Sequence, residues 1–107
     1  RKTRSDKKES VRVWVNEFQY RKILKNSKLN KMTITAYCSS LVANELEDYT
    51  KRRYEEVPYQ VEDHVVHIKL SRIDYEAICE LSAIFVYPSK RKTVHRVLMN
   101  ALRTEGI

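Results

Sequence analysis

Two short segments of the chain alternate between apolar and other residues. In Val11-Arg-Val-Trp-Val15, the residues Val11, Val13 and Val15 share one face of an extended strand, and Ser10, Arg12 and Trp14 share the other. Val65-Val-His-Ile-Lys-Leu70 repeats the arrangement, with Val66, Ile68 and Leu70 inward and Val65, His67 and Lys69 outward. Each segment runs into a helix-start signal. Asn16 is followed by Gln19 three residues on, a capping-box spacing, and Ser71 by Asp74. Apolar residues then recur at helical spacing over about 17–28 and 72–85, and second helices are expected to start near Thr33 and Ser89, both N-cap types. The first of these second helices is expected to continue through Leu46, Tyr49 and Arg53 until Pro58 stops it.

The two segments are one pattern written twice. A shift of 55 residues places Val15 on Leu70, Asn16 on Ser71, Phe18 on Ile73, Tyr20 on Tyr75, Ile23 on Ile78, Ser27 on Ser82 and Leu29 on Ile84. One extra residue in the second turn then sets Thr33 on Ser89, Cys38 on Val94, Leu41 on Val97, Asn44 on Asn100 and Leu46 on Leu102. The expected organisation is a flexible basic arm over 1–9, a strand-helix-helix unit over 10–56, a linker over 57–64 and a second unit over 65–105. A lone short strand leaves its backbone groups and its apolar face unsatisfied. The two strands are therefore expected to pair, giving a mostly α fold with a short two-stranded antiparallel β-ribbon over four helices.

Composition narrows the classes. Of 107 residues, 42% are hydrophobic, enough for one small core, and a single glycine with two prolines favours helices joined by short polar connections. No apolar run spans a membrane and no signal-peptide core is present. The chain begins with Arg1 rather than Met, as a trimmed chain would. Cys38 and Cys79 each fall within an apolar helical pattern, as buried free thiols do, which fits a reducing cytoplasm. His64 and His67 point to opposite strand faces and no Cys-x-x-Cys pair exists, so neither a metal site nor a cofactor is expected. Without a glycine-rich phosphate loop or a nucleophile–base spacing, no enzyme is expected.

The net charge of +7 is unevenly spread: residues 1–10 carry +3, 16–32 carry +4 and 89–107 carry +4, against −4 over 33–64 and −2 over 71–88. Basic segments kept apart in this way suit a polyanion-binding face, or a basic solvated surface. Membrane binding is not expected, since no helix pairs a basic face with a bulky apolar one. An antiparallel ribbon sets the outward rows Ser10, Arg12, Trp14 and Val65, His67, Lys69 side by side, at a width suited to the DNA major groove.

These strands and helix starts resemble the ribbon-helix-helix DNA-binding family, the MetJ and Arc type, over about 11–46 and 65–103. Most members supply one unit per chain and dimerise, whereas this chain carries two in tandem. Tandem members include TraY-like relaxosome accessory proteins, which bind near a plasmid origin of transfer, and the chain resembles the mobilisation accessory proteins of staphylococcal plasmids (SmpO-like). The resemblance implies base contacts by Arg12, Trp14, His67 and Lys69, with Ser10 and Val65 at the ribbon ends. It implies phosphate contacts at the second-helix starts, by Thr33 and Thr35 and by Ser89, Lys90 and Arg91. Such starts expose backbone amides and the positive end of the helix dipole.

Double-stranded DNA is thus the expected partner, together with a relaxase and further copies of the chain bound cooperatively on adjacent sites. A transcriptional repressor on the same fold, as a plasmid copy-control or antitoxin-like regulator, is the second reading, and a protein-interaction module is the one from another class. Two departures from the family pattern stand out: Trp14 at a position where polar readers are common, and Asn30 and Tyr87-Pro88 in place of an interhelical glycine. Trp14 also fits a core or interface role, His67 a passive surface one, and Lys22, Lys25, Lys28 and Lys31 a solvated helix face. Arg4, Lys7 and Lys8, with Arg1 and Lys2, are candidate arm contacts to the DNA backbone or minor groove.

Overall fold

The computed structural model describes residues 9–51 and 53–104. The expected arm contacts Arg1, Lys2, Arg4, Lys7 and Lys8 lie outside them. The elements run β1 (Glu9–Val15), α1 (Glu17–Leu29), α2 (Ile34–Leu46), β2 (His64–Leu70), α3 (Arg72–Phe85) and α4 (Lys90–Thr104). Helix starts follow the capping signals. Asn16 accepts from the Gln19 amide at 2.8 Å while the Gln19 side chain accepts from the Asn16 amide at 3.0 Å. Thr33 accepts from the Ala36 amide and Ser71 from the Asp74 amide.

β1 and β2 form a two-stranded antiparallel sheet, with Ser10 opposite Lys69, Arg12 opposite His67 and Trp14 opposite Val65. Every inward residue named above is buried: Val11, Val13 and Val15, and Val66, Ile68 and Leu70. Beneath them α2 packs on β2 and on α4, and α4 packs on β1. Each second helix thus covers the strand of the other half. α1 packs on α2 and α3 on α4, outside this central pair. Among the described residues no helix is long and apolar enough to cross a membrane.

On the outer edge of each strand, one backbone N–H is met by a side-chain hydroxyl. Lys69 donates its backbone N–H to Ser39 Oγ at 2.9 Å, and Trp14 donates its own to Tyr59 Oη at 3.2 Å. Trp14 and Lys69 are 55 residues apart, so the same edge N–H is met twice by different means. The residue aligned with Ser39 in the second half is His95. It is buried, its ring lies 4.7 Å from that of Tyr59, and its Nδ1 has no hydrogen-bond partner among the described residues. Where a serine reaches the first edge directly, a histidine in the second half backs a tyrosine that does so. Burial pushes the His95 imidazole down to about 4.

Four expectations are corrected. α2 ends at Leu46, and 47–51 form turns instead of a continued helix. Glu45, Glu47 and Asp48 crowd the negative end of the dipole there, and no basic residue occupies the last turn. Tertiary bonds also draw the chain onto α4: Arg96 donates from Nε to the Tyr54 carbonyl at 3.1 Å, and Asn100 accepts from the Glu55 amide and donates to its carbonyl, both at 3.0 Å. The connection between the halves is therefore 47–63, longer than the expected 57–64 linker.

The turns between paired helices place their left-handed residues at Lys31 (φ 56°) and Val86 (φ 60°), one residue from the expected Asn30 and Tyr87-Pro88. These two are again 55 apart. The following amides close matching bonds, Met32 to the Ser27 carbonyl and Tyr87 to the Ser82 carbonyl, each 2.9 Å. Cys38 is buried, its thiol pushed up to about 12 by desolvation, but Cys79 is exposed on the outer face of α3. Finally, Phe18 and Leu29 of the basic α1 stand exposed, because Ile23 and Ser27 fill the inward face.

Two outcomes follow from this packing. Val86 is 83% exposed and left-handed, so Val86→Gly removes a backbone cost of about 1–2 kcal/mol while adding about 0.5–1 kcal/mol of chain entropy. Thermal unfolding of the variant is expected to rise by a few degrees, and an unchanged or lowered midpoint refutes the strain. For His95, the unfolded chain takes up a proton near pH 6.5 that the folded chain refuses until about pH 4. Stability is therefore whole above pH 6.5 and declines below it by up to about 1.4 kcal/mol per pH unit. Denaturant unfolding of His95→Phe across pH 7 to 4 is expected to show a shallower decline than the native protein.

Candidate nucleic-acid interface

The period-2 alternation that buries one row of the ribbon exposes the other. Ser10, Arg12, His67 and Lys69 are exposed, and Trp14 and Val65 are half-buried. All six residues expected to contact bases therefore lie on one face. Trp14 is neither a core residue nor a free one, since it is half-buried and its backbone N–H is held by Tyr59.

Register and repeat together locate a centre. The repeat relates residues 55 apart, and the pairing sets residues opposite each other when their numbers sum to 79. The pair that is its own image under both rules is Arg12 and His67. These two residues sit at the pseudo-twofold point of the ribbon. On one side lies the polar pair Ser10 and Lys69, on the other the apolar pair Trp14 and Val65.

The N-termini of α2 and α4 flank this face. At the α2 end a groove of about 660 Å³ is lined by Ser10, His67 and Lys69 from the strands and by Thr33 and Thr35 from the helix start. At the α4 end a groove of about 450 Å³ joins Ser10 and Arg12 to Ser89, Lys90 and Arg91. A smaller one brings Arg91 against Arg12, Trp14 and Val65. The phosphate candidates therefore border the base candidates on both sides. Thr33 uses its oxygen lone pair as the α2 cap, which leaves its O–H able to donate outward.

The first turn of α4 holds Lys90, Arg91 and Lys92 and no acidic residue, which opposes the helix dipole. Two of these cations are supported by rings. Lys90 donates to Tyr75 Oη at 2.7 Å and lies 4.8 Å from its centroid; that hydrogen bond, first, holds the ammonium pKa above its ordinary value. Lys92 lies 4.3 Å from the Tyr87 centroid. Tyr75 and Ser39 carry no signal in the sequence for these contacts. Tyr75 meets its partner fifteen residues on, and Ser39 meets a strand thirty residues away, so no local spacing announces either.

The other singled-out residues lie apart from this face. Lys25, Lys28 and Lys31 are exposed on α1 and its turn, and the Lys22 ammonium rests over Phe18. His64 stacks on Tyr20 at 4.1 Å and meets Glu17 Oε1 at 3.3 Å, and the Glu17 carboxyl is held below its ordinary range by His64 and by Arg21. Among the described residues no three His, Cys, Asp or Glu side chains gather into a metal-binding group. Comparison with known proteins found no matching family model, no matching curated protein and no matching solved structure.

Proposed function

We propose that this chain is a tandem ribbon-helix-helix protein that binds double-stranded DNA sequence-specifically, laying the β1–β2 ribbon in the major groove. The observation that carries the reading is the convergence on one face of a two-stranded ribbon, its outward donors and two flanking helix N-termini. Two paired strands are about 5 Å apart, and with side chains they fit a groove about 12 Å wide. Arg12 at the centre and Lys69 toward the polar end donate to guanine O6 and N7, Trp14 and Val65 cover thymine methyl groups, and the α2 and α4 starts hold the phosphates on either side. Lys90 and Arg91 stand beside Ser10 and Arg12 of β1, Arg91 also borders the Trp14–Val65 end, and Lys69 stands beside the start of α2, whose first turn has no cation.

The resemblance extends this to an accessory factor at a plasmid origin of transfer, with a relaxase as its protein partner. A repressor on the same fold would make the same contacts, and the location of the preferred site separates the two. Since the polar and apolar ends of the ribbon differ, the site is directional and non-palindromic.

Selection of duplexes from a random pool, with affinity measured across a salt series, tests the proposal. A single asymmetric motif is expected, with log affinity falling linearly and steeply as log salt rises. Arg12→Ala is expected to relax the preference at one position at a cost of about 1–3 kcal/mol, while Lys90→Ala weakens all duplexes alike and lowers the salt slope by about one. Equal affinity of the native protein for unrelated duplexes sinks the base-reading claim.

A further inference from the structure

The outer faces of α1 and α3 carry matched apolar residues and opposite charges at positions 55 apart. Phe18 and Leu29 on α1 correspond to Ile73 and Ile84 on α3, and these four are 66%, 70%, 78% and 62% exposed. Between them Arg21 and Lys25 correspond to Glu76 and Glu80, all exposed. At 3.6 residues per turn each set of four falls within an arc of about 80°, a single stripe. One stripe reads apolar, positive, positive, apolar; the other reads apolar, negative, negative, apolar.

We propose that α1 of one copy docks on α3 of the next, so that the protein associates with itself head to tail. α1 packs on α2 and α3 on α4, with α2 and α4 together at the centre, so the two stripes lie on opposite flanks of the molecule. A contact between unlike faces is heterologous and propagates from copy to copy. The charge order of each stripe reads the same from either end, so apolar residues meet apolar and cations meet carboxylates in either helix orientation. Large apolar side chains repeated on a solvated face fit an interaction site better than a solvated helix.

The local ion pairs do not stand in the way. Arg21 pairs with Glu17 at 3.0 Å and Glu76 with Arg72 at 3.4 Å, each along its own helix and each more than half exposed, and such pairs exchange partners at little cost. Glu80 accepts from Tyr49 Oη and keeps its second carboxylate oxygen. An anionic membrane suits α1 alone, but the acidic copy of the stripe on α3 repels one, and a second copy of the chain accounts for both. The contact uses neither the ribbon nor the starts of α2 and α4, so it stands apart from the DNA-binding reading.

Charge reversal tests it by sedimentation without DNA. The native protein is expected to gain weight-average mass with concentration at about 0.1 M salt and to return toward the monomer at about 1 M, where screening is about threefold shorter in range. The double variant Arg21→Glu/Lys25→Glu, with two acidic flanks, and the double variant Glu76→Lys/Glu80→Lys, with two basic flanks, are each expected to stay monomeric. Their equimolar mixture is expected to associate, and the chain with all four reversals to associate as the native does. A native protein that stays monomeric throughout, single-flank variants that associate as well as the native, or a mixture that does not recover association overturns the proposal. Binding of a monomeric native protein to phosphatidylserine vesicles, lost in the Arg21→Glu/Lys25→Glu variant, overturns it in favour of a membrane.

Discussion

The pairing of β1 with β2 is the constraint on which the other contacts depend. Neither strand is long enough to persist alone, and each has one wholly buried apolar row that needs a cover. Pairing Arg12 with His67 fixes the rest of the register, because a slip by one residue would turn Val13 and Ile68 outward and bring Arg12 and Lys69 into the core. The register also decides which helices lie beneath. α2 crosses to β2 and α4 to β1, so neither half covers its own strand alone. The remaining liability is the two outer edges, and Ser39 and Tyr59 each meet the N–H that faces outward at the equivalent place.

What could be read from the sequence was what neighbours in the sequence decide. Strand alternation, the Asn16–Gln19 box, the Thr33 and Ser71 caps and the 55-residue shift involve residues a few positions apart or a pattern repeated whole, and the structure has them at those residues. The end of α2 was only partly legible: the acidic run Glu45, Glu47 and Asp48 is local, but the bonds from Arg96 and Asn100 that draw the chain onto α4 come from more than forty residues away. Cys79 was misread for a related reason. Both faces of α3 carry apolar residues, and only the packing of Ala77, Ile78 and Leu81 onto the core decides that Cys79 faces out. At the candidate interface the outward rows were legible from alternation alone. The Tyr75 support beneath Lys90 was not, since it forms only when the start of α4 folds back on α3.

The left-handed residues Lys31 and Val86 illustrate how a repeat can outlast its best chemistry. Glycine would take that conformation at no steric cost, yet neither copy has one, and both close the same pair of backbone bonds. The six-residue return bond from Met32 to Ser27, and its counterpart from Tyr87 to Ser82, sets the angle at which each first helix meets its second. That angle places the start of α2 beside Lys69 and the start of α4 beside Arg12. The side chain matters little there because the turn's backbone bonds set where each second helix starts.

Carrying both halves in one chain frees them to differ, which two identical chains cannot do. In a strictly symmetric ribbon the residues at one end are the residues at the other. Here the shift that relates Ser10 to Val65 and Trp14 to Lys69 sends a polar pair onto an apolar pair, so the outward face has a direction. The same freedom replaces Ser39 by the His95–Tyr59 pair at the second edge, and Arg21 and Lys25 by Glu76 and Glu80 on the flank. Each change leaves the inward rows of the ribbon apolar, although His95 sets one of the differences within the buried interior. Polarity on the face and polarity along the flanks thus have one origin, the covalent link that lets each half hold a side chain its counterpart lacks.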